Sequence, residues 1–208
     1  MSKSNKSNNP TYHFETKAKK EGFTVVIGVD EAGRGPLAGP VVACAVSLVK
    51  NDFKNRIADS KVISPKQREE AFHEIMGNAH VGIGIMAESV IDQVNILEAT
   101  FLAMRNAIVD LIGRLPQGEK ICLFIDGNRF KSDLPYKYKT ITNGDARVLS
   151  IACASIIAKV TRDRILLQYD TLYPEYGFKN HKGYPTKEHK AALRAHGYSP
   201  IHRRSFKY

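Results

Sequence analysis

The 208-residue sequence predicts an α/β domain: a central mixed β-sheet flanked by helices, with a C-terminal helical segment added. Three observations carry that expectation. Apolar, β-branched runs of strand length stand at "FTVVIGVDE", "VVACAVSLV" and "KICLFIDGN". Longer segments with apolar residues at three- and four-residue steps separate or follow them. A chain of this length also buries roughly 70% of its unfolded surface, enough for one large core, and no internal repeat divides it.

The elements follow in order. Residues 1–22, "MSKSNKSNNPTYHFETKAKKEG", are polar and lysine-rich and lack the apolar centre of a signal peptide, so they are read as a flexible basic leader before a domain at 23–208. "FTVVIGVDE" and "VVACAVSLV", joined by a glycine- and proline-rich loop, read as a hairpin-like strand pair, with Asp30 and Glu31 ending the first strand. "SPKQREEAFHEIMGNA" opens with Ser64 as N-cap and Pro65 at the first helical position. "HVGIGIMAES" returns to strand. From Ile91 to Arg114 the spacing predicts a long amphipathic helix, alone or with a short one before it. "KICLFIDGN" suits a central strand that stops at Asp126, where Gly127 and Asn128 turn the chain. After a basic loop, "RFKSDLPYKYK", a long helix is expected from a cap near Asp145, and another lies near 187–196.

Lys and Arg number 31 against 21 Asp and Glu, a formal charge of +10, which favours polyanionic partners, nucleic acid first. No apolar run approaches the ~20 residues needed to cross a bilayer, so no membrane is expected. Cys44, Cys122 and Cys153 are isolated in apolar surroundings, without zinc or disulfide spacing. Buried, reduced thiols and a cytoplasmic location follow.

Asp30, Asp126 and Asp145 stand at strand or helix ends, where sites gather in α/β sheets. Clustered carboxylates repel, and hard divalent cations, Mg²⁺ or Mn²⁺, compensate them while activating water against a phosphate. Taken singly, each has a bland reading: "IDGN" as a hairpin turn, Asp145 as an N-cap, Arg34 as a surface partner of Glu31. Consecutive strand side chains point to opposite faces, so Asp30 and Glu31 share one site only if the strand bends or ends there.

The series "GVDEAGRGPLAGPVVACAV", "ADSKVIS", "IDQVNILEATFLAM", "IDGN", "NGD…SIACASIIAKVTRDR", "YGFKNHKGYPTKEH" and "HRRSF" resembles ribonuclease HII, the type 2 ribonuclease H family, from about residue 23 onward. The resemblance implies a ribonuclease H-like fold and cleavage of RNA within RNA–DNA hybrid duplexes. It also implies cleavage 5′ of a lone ribonucleotide in duplex DNA, leaving a 3′-hydroxyl and a 5′-phosphate by a two-metal mechanism. It makes Asp30, Glu31, Asp126 and Asp145 the metal-binding catalytic carboxylates. Gly33, Arg34 and Gly35 match the motif whose backbone reads the ribose 2′-hydroxyl, and Tyr184 matches the tyrosine that packs against the next sugar. Lys61, Lys159 and Arg162 are phosphate or structural contacts; Asp163 pairs with Lys159 at an i,i+4 step. Arg203 and Arg204 are read either as part of the site or as solvated residues of a docking tail. Many relatives carry Lys where this chain has Asn143. A monomer is the default, and a sliding clamp is a partner that the sequence leaves open.

Two other readings stand beside this one. Ribonuclease HIII shares the catalytic core but adds an N-terminal platform domain, for which the leader is too short. A basic duplex-binding module without catalysis would use the same carboxylates as turns and caps.

Overall fold

The chain, described over residues 9–207 in a computed structural model, builds five strands: β1 (Val25–Ala32), β2 (Val41–Leu48), β3 (Ala79–Met86), β4 (Ile121–Asp126) and β5 (Lys137–Ile141). The helices are α1 (His13–Lys20), α2 (Pro65–Asn78), α3 (Glu88–Val94), α4 (Ile96–Ile112), α5 (Leu149–Leu172), α6 (Phe178–His181) and α7 (Lys187–His196). One sheet runs in the order β3-β2-β1-β4-β5. β1–β2 and β2–β3 are antiparallel, whereas β1–β4 and β4–β5 are parallel, which gives the expected mixed sheet.

Side chains alternate across each strand, so the sheet presents two apolar faces. Ile27, Val29, Ala43 and Ala45 pack on one side with Ala103, Ala107 and Leu111 of α4. Cys44 and Val46 face the other way, onto Cys153, Ile156 and Ile157 of α5 and Ala71 and Ile75 of α2. Close approach needs small residues. A methyl group on Gly82 or Gly84 would run into the α4 backbone, and one on Gly28 into α5 at Ser150.

Helix α2 begins as its sequence signals. Ser64 Oγ accepts the Gln67 amide at 3.2 Å, and Gln67 Oε1 accepts the Ser64 amide at 2.9 Å, a reciprocal cap behind Pro65. Asn95 divides the 91–114 segment. At φ 72° it ends α3, and its Oδ1 accepts the Leu97 and Glu98 amides to start α4.

Four details differ from the sequence expectation. Residues 9–22 are not loose leader: α1 buries Ala18 against Val26, Cys122 and Phe124, and Glu15 Oε1 accepts the Ser150 amide at 2.8 Å. Residues 1–8 of that leader lie outside the described residues. The "KYKTI" end of the basic loop region is strand β5 at the sheet edge. The Asp126–Gly127 turn makes no hairpin, because β4 and β5 are parallel. The long helix starts at Leu149, and Asp145 sits before it in a 3₁₀ turn, Gly144–Ala146. The three cysteines are free and buried, as expected.

Candidate active site

β1 and β4 run parallel with Val29 opposite Ile125, so Asp30 and Asp126 stand side by side on neighbouring strands near the carboxyl edge of the sheet. Asp126 Oδ1 accepts the Gly144 amide at 2.6 Å and draws the 3₁₀ turn carrying Asp145 against it. Asn143 precedes that turn at φ 53°, a left-handed conformation that asparagine tolerates better than most side chains. The chain does not bend at Asp30 as expected: β1 continues through Ala32, and Asp30 and Glu31 both pair with β2. Asp30 is thus directed toward Ser155 of α5, and Glu31 lines the cleft on the α4 side. Their carboxyl groups still interact, and Asp126 acts on both.

The electrostatics record that crowding. Burial, then Glu31 and Asp126, push the Asp30 carboxyl well above the usual range. Glu31 is raised mainly by burial, with Arg34 opposing and Asp126 adding to the rise. Burial, Asp126 and Asp59 raise Asp145. Burial works against the charge of Lys61, but Asp59, Asp145, Asp30 and Asp126 outweigh it and hold the ammonium form. Among the described residues, no group of three or more His, Cys, Asp or Glu side chains is arranged to hold a metal ion as it stands. In chemistry the donor set nonetheless suits a hard divalent cation: its ligands are oxygens only, and their mutual repulsion would be relieved by positive charge.

The Gly33-Arg34-Gly35 loop follows directly. Arg34 Nη1 reaches Glu31 Oε1 at 3.3 Å, the ion pair that the bland reading foresaw. Gly33 has φ 100°, and a side chain there would fall on Arg162. Two buried guanidinium groups hold the loop from behind. Arg203 donates to the carbonyls of Gly33 (2.6 Å), Arg34 (3.0 Å) and Gly39 (2.6 Å). Arg162 donates to Ala38, Pro40 and Lys182, each at 2.9 Å. Arg203 is therefore neither solvated nor a surface docking residue, whereas Arg204 beside it is exposed. Arg162 takes the structural of its two readings, and Lys159 pairs with Asp163 at 2.7 Å as expected.

Tyr184 borders the same loop: a methyl group on Gly35 would touch its ring at 3.7 Å, and Lys159 Nζ lies 6.0 Å from the ring centre. A cleft of about 360 Å³ opens between Glu31, Arg34 and Asp126 on one side and Leu97, Phe101 and Met104 of α4 on the other. Asn128 and Arg129 also line it. Sequence reasoning passed over Arg129, which sits in a basic loop with nothing local to single it out.

The ribonuclease HII family model matches residues 27–208. Ribonuclease HII of Enterococcus faecalis is 49% identical over 194 residues, covering 93% of this chain and 73% of that protein. In shape, the chain is similar to the structure of the PCNA:RNase HII complex from Archaeoglobus fulgidus, with a TM-score of 0.72, 22% identity, and 88% and 96% of the two chains covered. It is also similar to Bst-RNase HIII solved in complex with Mn²⁺, with a TM-score of 0.62 and 17% identity. There the match covers 83% of this chain and 63% of the other. The fold is thus ribonuclease H-like, and from the match across residues 27–208 and the near-half identity along most of its length, this chain belongs to the ribonuclease HII family.

Proposed function

We propose that this protein is a metal-dependent endoribonuclease that cuts the RNA strand of RNA–DNA hybrids. The same site cuts duplex DNA 5′ of single embedded ribonucleotides, leaving 3′-hydroxyl and 5′-phosphate ends. Its role is the removal of misincorporated ribonucleotides and RNA primers during DNA replication and repair. The observation that carries this reading is the placement of Asp30, near the end of β1, beside Asp126, the last residue of the neighbouring parallel strand β4, with the Gly33–Gly35 loop following β1 directly.

Asp30, Glu31, Asp126 and Asp145 would hold Mg²⁺ or Mn²⁺. When bound, such ions stabilise the charge that develops on the phosphate and lower the pKa of water toward neutrality. The residues do the rest. Burial, Glu31 and Asp126 raise the Asp30 carboxyl, so a cation held among these carboxylates would favour its ionised form. Lys61, facing the same carboxylates, offers a cation toward the scissile phosphate. The Gly33–Gly35 backbone, its carbonyls fixed by Arg203, meets the ribose 2′-hydroxyl, the group that separates RNA from DNA. Tyr184, next to Gly35, packs against the following sugar. The protein works as a monomer in the cytoplasm. A sliding clamp is carried as a candidate partner on the precedent of the Archaeoglobus fulgidus complex.

End mapping tests the chemistry. A labelled duplex with one ribonucleotide should yield a single cut on its 5′ side with a 3′-hydroxyl, and a full hybrid should yield internal cuts in the RNA only. A cut 3′ of the ribonucleotide, a cyclic phosphate product, or equal cleavage of all-DNA duplex would refute the proposal.

A further inference from the structure

Behind Tyr184 lies a polar cluster that the cleavage chemistry does not use: the buried rings of His181, His189 and His202, packed against Tyr176 and Phe178. The contacts fix where the protons sit. His189 Nδ1 is 2.9 Å from the Tyr184 carbonyl oxygen, which can only accept, so Nδ1 carries the hydrogen. His189 Nε2 and His202 Nε2 are 2.9 Å apart and share one proton. With Nδ1 of His189 protonated in a neutral ring, that proton belongs to His202. His202 Nδ1 is then the acceptor it needs to be, taking the Ser199 amide at 2.9 Å and facing Ser199 Oγ at 2.7 Å. A relay with one direction results: Ser199 amide to His202, His202 to His189, His189 to the Tyr184 carbonyl. Burial holds both rings below their ordinary pKa, His202 at about 4, which keeps the neutral forms in place near neutral pH.

The tail that begins this relay also carries Arg203. Its amide donates to Leu37 at 2.8 Å, and its guanidinium holds the Gly33, Arg34 and Gly39 carbonyls. One short segment, residues 199–203, therefore grips the glycine loop through Arg203 and, by way of His202 bonded to His189, the Tyr184 main chain. We propose that His189 and His202 are positioning residues that set Tyr184 against Gly35, so that the C-terminal tail fixes the spacing of the ribose-reading site. This rests on the reading of Tyr184 as the residue that packs against the sugar.

Two measurements test it. In ¹⁵N spectra of the histidine rings of the full chain at pH 7, His189 is expected as the Nδ1–H tautomer and His202 as the Nε2–H tautomer. His189 protonated at Nε2 overturns the relay whatever the kinetics show. In cleavage of a single-ribonucleotide duplex, His202→Leu is expected to lower kcat/KM roughly tenfold, the scale of one buried hydrogen bond lost behind a positioned group. His202→Gln, whose amide can still donate to His189, should recover most of that loss. The deciding comparison is with Tyr184→Ala. If the relay acts through Tyr184, adding His202→Leu to Tyr184→Ala costs little more; full multiplication of the two losses overturns the inference. A silent Tyr184→Ala instead overturns the sugar-packing reading itself, a different failure from a wrong tautomer. Should His202→Leu not fold, the tautomers and the Gln variant still decide.

Discussion

Asp30 shows how residue-scale physics separates function from stability. Asp30 is 5% exposed, and burial, Glu31 and Asp126 raise its carboxyl well above the usual range, so folding favours its protonated form relative to the unfolded chain. A raised carboxyl contributes stability that is present below its unfolded pKa and lost as pH rises through its folded pKa. At pH 7, above the unfolded carboxylate range, Asp30 therefore weighs against folding. Asp30→Asn is expected to raise the melting temperature of the metal-free protein at pH 7 by a few degrees, at about 2–4 °C per kcal/mol for a chain of this size. The gap to wild type should narrow as pH falls through the Asp30 range. The same variant should lose cleavage and most of the stabilisation by Mn²⁺ in calorimetry. A lower melting temperature for metal-free Asp30→Asn would contradict this. The carboxylates were legible in sequence because acids at the ends of apolar strands are costly unless used. Arg203 was not legible: it bonds a carbonyl 164 residues away, and no local pattern separates it from exposed Arg204.

At the scale of elements, periodicity exposed what packs and missed what lies at edges. β1, β2 and β4 are buried runs with a plain signal. β5 is mostly exposed on a sheet edge, and its Lys-Tyr-Lys-Thr composition reads as loop. α1 is hidden by lysines, although Ala18 and Glu15 anchor it to the sheet and to α5. Deleting residues 1–21 is expected to lower stability in urea melts while leaving cleavage by the folded fraction intact. An unchanged midpoint would place α1 outside the cooperative unit. The loop at 33–39 makes the sharper case. Arg203→Met strands three inward carbonyls, which should cost about 3 kcal/mol or more by urea unfolding. Arg203→Lys, with fewer donors in a different geometry, should recover only part of that.

Across the whole molecule the charge of +10 and the acidic cleft oppose each other: the surface attracts a polyanion that the carboxylates repel until cations intervene. Duplex affinity of Asp126→Asn should fall steeply with salt, with a log–log slope of about −0.9 per phosphate contacted, whereas a shallow slope would mean that the basic surface is not the docking face. The carboxylate cluster is the centre of the whole reading, and one measurement reaches it most directly. A labelled DNA duplex carrying one ribonucleotide is incubated with wild type and with Asp126→Asn, in Mg²⁺, in Mn²⁺ and in EDTA, beside an all-DNA control. The expected result is a cut 5′ of the ribonucleotide by wild type with metal alone, and none in EDTA, in the control or with the variant. Binding without cleavage under either metal, or cleavage that survives Asp126→Asn undiminished, would contradict it.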